Sequence, residues 1–143
     1  MEKTQTGMAT GFFRIELNDH GDYVTVPTGN DAFFDSFSRE CKQLWAMAGR
    51  ICSRLKKIER ERKKLKDTDQ DLEKIRETAE INIQFSRNAT GIIDSIFGEG
   101  TVKKYFRKFY EEDPGFMPDV ECFTDFLEQI TPVMKRLSGD RLS

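Results

Sequence analysis

From Phe34 onward the chain places an apolar residue at every third or fourth position: Phe34, Phe37, Cys41, Leu44, Ala48, Ile51, Leu55 and Ile58, followed by Arg62 and Leu65. Steps that alternate between three and four keep every member on one side of an α-helix, and more than four heptads of them describe a coiled-coil-like stripe. No proline interrupts the run, and Gly49 alone weakens it. A helix over 30–66 would reach about 55 Å at the helical rise. A compact chain of 143 residues is only roughly 37 Å across. Such a helix must either kink, with Gly49 the natural place, or project from the globule as an arm.

The segment Lys66–Asp71 is rich in turn formers, and a second long helix follows to Phe97. Its apolar positions are Leu72, Ile75, Ala79, Phe85, Ala89, Ile92 and Ile96. Folding back antiparallel about residues 67–69 brings Ile51 to Phe85, Leu44 to Ile92 and Cys41 near Ile96. A long αα-hairpin over 30–97 is therefore expected. Residues 54–67 carry eight basic and three acidic side chains, and residues 68–80 carry five acidic and two basic. The fold-back lays these arms side by side, with Lys63 beside Glu73, and complementary charge helps set the register.

The N-terminal third has a different period. FFRIEL and DYVTVP flank the turn formers Asn18-Asp19-His20-Gly21, which reads as a β-hairpin over 12–27 with Gly21 free to take positive φ. Phe13, Ile15 and Leu17 share one face. Residues 1–10 lack periodicity and are expected to be a disordered tail. Thr28 and Asp31 form a helix-start pattern after Pro27, and Thr68 with Asp71 repeats it. Gly98-Glu99-Gly100 punctuates the second helix. A short helix over 101–112 and a last helix over 119–137 follow, the latter capped by Asp119 and kinked by Pro132 near Gln129–Thr131. Residues 138–143 are expected to fray. The fold class is thus mainly α: an N-terminal β-hairpin, a long helical hairpin, then two shorter helices, all in one domain over 11–137.

Composition limits the chemistry. Lys and Arg number 23 against 25 Asp and Glu, a balance unlike that of a general polyanion binder. The basic run over 54–66 has no interleaved aromatics for base stacking, so it reads as a solvated helix face rather than a nucleic-acid contact. His20 is the single histidine, which leaves no metal-ligand set and no histidine-based nucleophilic centre. Neither a cofactor nor a metal is expected, and an enzyme is not expected. Three widely spaced cysteines, at 41, 52 and 122, suit a reducing compartment. No apolar run reaches the roughly 18 residues of a membrane span, and the N-terminus lacks a signal-peptide layout. A cytoplasmic protein is expected.

The aromatic content is the functional signal. Of the twelve phenylalanines, all but Phe85 and Phe97 cluster toward the two ends of the sequence, which the fold-back brings together at the root of the arm. Phe33 and Phe34, and Phe123 and Phe126, point in more than one direction on their helices, so one helix face alone cannot bury them all. Phe12, Phe13, Tyr23, Phe33, Phe116 and Phe126 are accordingly candidates for contact with another protein.

The order of three motifs carries a resemblance. Arg14-Ile15-Glu16-Leu17-Asn18-Asp19-His20-Gly21-Asp22-Tyr23-Val24 opens the chain, Gly98-Glu99-Gly100 divides it, and Phe126-Leu127-Glu128-Gln129-Ile130-Thr131-Pro132 closes it. This arrangement resembles small tail assembly chaperones of phages and prophages of Firmicutes, encoded near the tape-measure gene. The resemblance covers about residues 12–137, and the loop over 111–118 is longer and richer in proline than the family pattern. It implies a non-enzymatic chaperone of the host bacterial cytoplasm that binds the helical tape-measure protein during tail morphogenesis and self-associates into an oligomer. Two other readings stand beside it: a helical structural or adaptor protein that self-associates through its hairpin, and a small nucleic-acid-binding regulator using residues 54–66.

Overall fold

A computed structural model describes residues 4–7 and 11–139 of the chain. In chain order it contains strands β1 (Thr4–Gly7), β2 (Phe12–Glu16) and β3 (Tyr23–Pro27), then helices α1 (Asp31–Lys63), α2 (Thr68–Phe97), α3 (Thr101–Tyr105), α4 (Arg107–Glu112) and α5 (Val120–Ser138). The expected class holds: mainly helical, with the β-hairpin first, the long helix pair next and the shorter helices last.

The hairpin β2–β3 pairs Ile15 with Val24 and Phe13 with Val26, so Ile15, Val24 and Val26 turn inward and are buried. Its turn is held by the Asn18 side chain, whose Oδ1 accepts from the His20 amide at 2.8 Å while Gly21 takes φ +89°. The sheet has a third strand. β1 pairs antiparallel with β2, Thr6 opposite Phe13. This corrects the reading of 1–10 as a disordered tail. A strand added at an edge is held by main-chain bonds, which leave no side-chain period to read; residues 1–3 and 8–10 lie outside the described residues.

α1 runs without a break through Gly49 and spans 33 residues, or about 50 Å. Of the two alternatives the projecting arm is the one adopted. The helix starts on Asn30, whose side chain accepts from the Phe33 amide at 3.1 Å. Thr28, expected in that role, instead donates its hydroxyl to the Gly11 carbonyl. Likewise Asp67, not Thr68, caps α2, accepting from the Asp69 amide at 2.8 Å. Asp119 caps α5 as expected, accepting from the Cys122 amide.

α2 ends at Gly98 (φ +119°), and Gly100 (φ +85°) turns the chain into α3. Both conformations are open to glycine and costly for other residues. The Asp94 carboxylate locks this turn by accepting from the amides of Gly100 and Val102. The segment 101–112 is two helices rather than one, because Phe106 departs from helical geometry between them. α5 continues past Pro132 as one helix, and the Thr131 hydroxyl donates to the Leu127 carbonyl at 2.6 Å. Ser138, expected to fray, belongs to α5 and is buried; residues 140–143 lie outside the described residues.

One core joins these parts at the arm's root. Phe85 of α2 meets Phe123 of α5 edge-on at 5.7 Å, and Phe97 meets Phe33, Phe37 and Phe126. Ile15 and Val26 of the sheet belong to the same cluster as Leu127, Ile130 and Met134 of α5. Among the described residues no helix is long and apolar enough to cross a membrane.

Candidate protein-interaction face on the helical arm

The sequence-predicted contact residues do not form one patch. Phe12 and Tyr23 are exposed on the outer face of the sheet, where the Arg14 guanidinium lies over the Tyr23 ring at 3.8 Å. Phe13 and Phe33 are half-buried against the core. Phe116 is half-buried too, stacked on the exposed Phe109 at 5.1 Å. Phe126 is a correction: it is 2 % exposed, with Tyr105 at 4.8 Å and Phe97 at 6.3 Å. The expectation of a partner contact at Phe126 rested on one helix face being unable to bury all these rings. α5 packs against both α1 and α2, and two directions of α5 are therefore interior.

The arm holds a larger apolar face. α1 presents its stripe to α2 much as its period indicates: Phe34, Phe37, Cys41, Leu44, Ala48 and Ile58 are buried, with Ile51 and Leu55 half-buried. The inward stripe of α2 differs from the expected one. It runs through Asp71, Lys74, Thr78, Ile81 and Phe85, and is fixed at the tip by two ion pairs. Arg62 Nε lies 2.8 Å from Asp71 Oδ1, and Lys74 Nζ lies 3.2 Å from Glu61 Oε2. The hydrogen bonding that Arg62 donates and Asp71 accepts holds the Asp71 carboxyl below its ordinary pKa and raises that of the guanidinium. The expected contact of Lys63 with Glu73 is not made: Lys63 bonds Glu59, and Glu73 bonds Arg76.

This register turns a second α2 stripe sideways. Leu72, Ile75, Ala79, Asn82, Ser86, Ala89 and Ile93 follow one another at steps of three and four. Ser86, Ala89 and Ile93 are buried, on the part of α2 where α5 packs. Asn82 is half-buried and lies beside the first turn of α5. Beyond it Ala79 is exposed, Ile75 is 44 % exposed and Leu72 is 56 % exposed. One continuous stripe is thus a core surface at the root and open toward the tip. Across from Asn82, a groove of about 570 Å³ is lined by Trp45, Gly49, Cys52 and Leu55 of α1 and bounded by Val120 and Thr124 of α5. Trp45 is 40 % exposed there.

No protein-family model, curated protein or solved structure matches this chain.

The α4 groove between the β2–β3 turn and α5 gathers His20, Glu111, Asp125 and Cys122, yet no group of three or more Cys, His, Asp and Glu positioned for a metal occurs among the described residues. Burial pushes the Cys41 thiol up to about 12, so at neutral pH it is a small apolar group rather than a nucleophile. At the sheet, Leu17 N–H donates to Asp22 and Thr28 N–H to Gly11. That alternation aims the main-chain groups of Tyr23 and Thr25 away from β2. Leu72 and Ile75 were legible as apolar, but they read as core. The signal that separates the stripes is Arg62 within the α1 seam, which demands an acid opposite and so draws Asp71 inward.

Proposed function

We propose that this protein is a non-enzymatic binding protein of phage tail assembly, acting in the host cytoplasm to hold the helical tape-measure protein until the tail tube forms around it. The observation that carries this reading is the α2 stripe, which is buried at the root and open over Leu72, Ile75 and Ala79. Contiguous exposed apolar surface on a folded chain marks an interaction site. A client built of long amphipathic helices presents the matching surface, and the order of the hairpin, glycine and proline motifs points to the same class of protein. Self-association into an oligomer fits a coat along an extended client, and the outward main-chain groups of Tyr23 and Thr25 offer a strand edge for it.

Co-expression with a tape-measure segment tests the reading. A stable complex that co-purifies, together with absence of this chain from mature particles, is the expected outcome. Failure to retain the segment rejects the proposal, and recovery of the chain from finished virions favours a structural adaptor instead.

A further inference from the structure

We infer that the open continuation of the α5 seat binds a partner helix that is apolar along one stripe and carboxylate-bearing along the flank facing α1. This names the chemistry of the partner and rests on the binding role proposed above.

Continuity with an interface already formed within the molecule identifies the kind of occupant. The α2 stripe buried at Ser86, Ala89 and Ile93, beside the Phe85–Phe123 contact with α5, continues without a change of period through Asn82 to Ala79, Ile75 and Leu72. On this part of α2 a helix already packs: α5 sets Phe123 against Phe85 and shares the groove with Asn82. The first turn of α5 closes the groove at Val120 and Thr124, so a second helix would enter in line with α5 and extend toward the tip. The α1 wall is open at Gly49, which has no side chain to hold a partner away. Both walls are helices whose main-chain groups are bonded internally, which leaves side-chain packing, not strand addition, as the mode of contact.

Charge decides which helix. On α1, the stripe Trp45, Gly49, Cys52 continues at the same period through Lys56, Glu59 and Lys63, with Arg60 one helical turn beyond Lys56. Lys63 is joined to Glu59 at 3.7 Å. Among the described residues no ion pair reaches Lys56 or Arg60. On α2, Glu73 and Glu80 are both taken by Arg76, at 3.3 and 3.1 Å. With Lys63 balanced by Glu59, it is Lys56 and Arg60 that make the tip half of the α1 rim cationic, whereas Asp119 and Glu121 of α5 line the groove at its root end. A second copy would bring the same cationic rim and no row of unpaired carboxylates from this part of its arm. A client helix with Asp or Glu along one flank satisfies both the apolar stripe and the rim.

The full-length protein and two synthetic helical peptides of about 20 residues, or about 30 Å, test this. Both carry leucine at heptad spacing; one bears glutamate along the flank and the other lysine. Trp45 is the single tryptophan and reports occupancy of the groove through its emission. The glutamate peptide should bind at least about tenfold more tightly than the lysine peptide, and Lys56→Glu with Arg60→Glu should reverse that order. Ile75→Glu should weaken the glutamate peptide by about tenfold or more while leaving the melting temperature unchanged, because Ile75 contributes no core. Equal affinity for the two peptides, or indifference to Ile75→Glu, overturns the inference. So does sedimentation showing a dimer that Ile75→Glu dissolves, since the occupant is then a second copy. If wild type and Ile75→Glu retain a tape-measure segment equally, the chaperone reading stands and this site falls. If the glutamate peptide binds as described but no segment is retained, the site stands and the chaperone reading falls.

Discussion

Asp94 shows how much one side chain can organise. Its carboxylate accepts from two amides at the start of α3, satisfying donors that a helix cannot satisfy for itself. α3 begins after two glycines, with no other side-chain cap. Asp94→Ala should therefore lower stability by about 1–2 kcal/mol, in the range of lost helix caps, measured by urea denaturation; Asp94→Asn should recover part of it. Asp22 plays a comparable part between the sheet and α4. Its pKa is lowered, first by the hydrogen bond from Asn18 and then by Arg107, whose Nη1 is 3.1 Å away. A carboxyl depressed on folding contributes stability that is complete above its unfolded value and disappears as pH falls through its folded value. Stability should thus begin to fall below about pH 4, and carboxyl NMR should place the Asp22 midpoint beneath that of an unfolded chain. In Asp22→Asn the acid-side loss should be smaller.

Among the elements, the α1–α2 pair is the most exacting, because two stripes on α2 were available for its seam. Leu72-Ile75-Ala79 is the more apolar near the tip, yet the structure places Asp71, Lys74 and Thr78 against α1. Arg62 and Glu61 account for this. Near the tip of a thin hairpin an apolar contact gains little, since solvent reaches both of its sides, whereas a bidentate Arg–carboxylate pair has directional geometry. The assignment has a sharp test. Ile81, 7 % exposed, is inward, so Ile81→Ala should cost about 2–3 kcal/mol. Ile75→Ala should stay within about 0.5 kcal/mol of wild type. Equal losses in chemical denaturation would show that the stripes had been exchanged. β1 teaches a related lesson: four residues are ordered by main-chain pairing, which side-chain spacing does not announce.

For the molecule as a whole, the arm and root differ in how much apolar surface each section buries. At the root, two long helices, α5 and the inner face of the sheet share one cluster; at the tip, two helices hold each other alone. Phe123 is fully buried between Phe85 and Phe106, and Phe123→Ala should cost about 3–5 kcal/mol, read from the denaturation midpoint. Amide exchange should be slowest in α5 and in the root halves of α1 and α2, and faster over residues 58–75, because local opening there sacrifices little buried surface. An arm with its own low opening energy can adjust to a partner without loosening the core.

Periodicity alone settled the antiparallel helical hairpin, the inward face of β2 and the seam of α1. Each follows from a local rule: a side chain's direction is dictated by its position along a regular backbone. The opening of the α2 side stripe, the interior place of Phe126 and the third strand were decided by tertiary structure. These depend on how far α5 reaches along the arm, how many neighbours α5 packs against, and which backbone edge a short segment finds. Such quantities belong to the spatial arrangement of distant parts of the chain, and no local period encodes them.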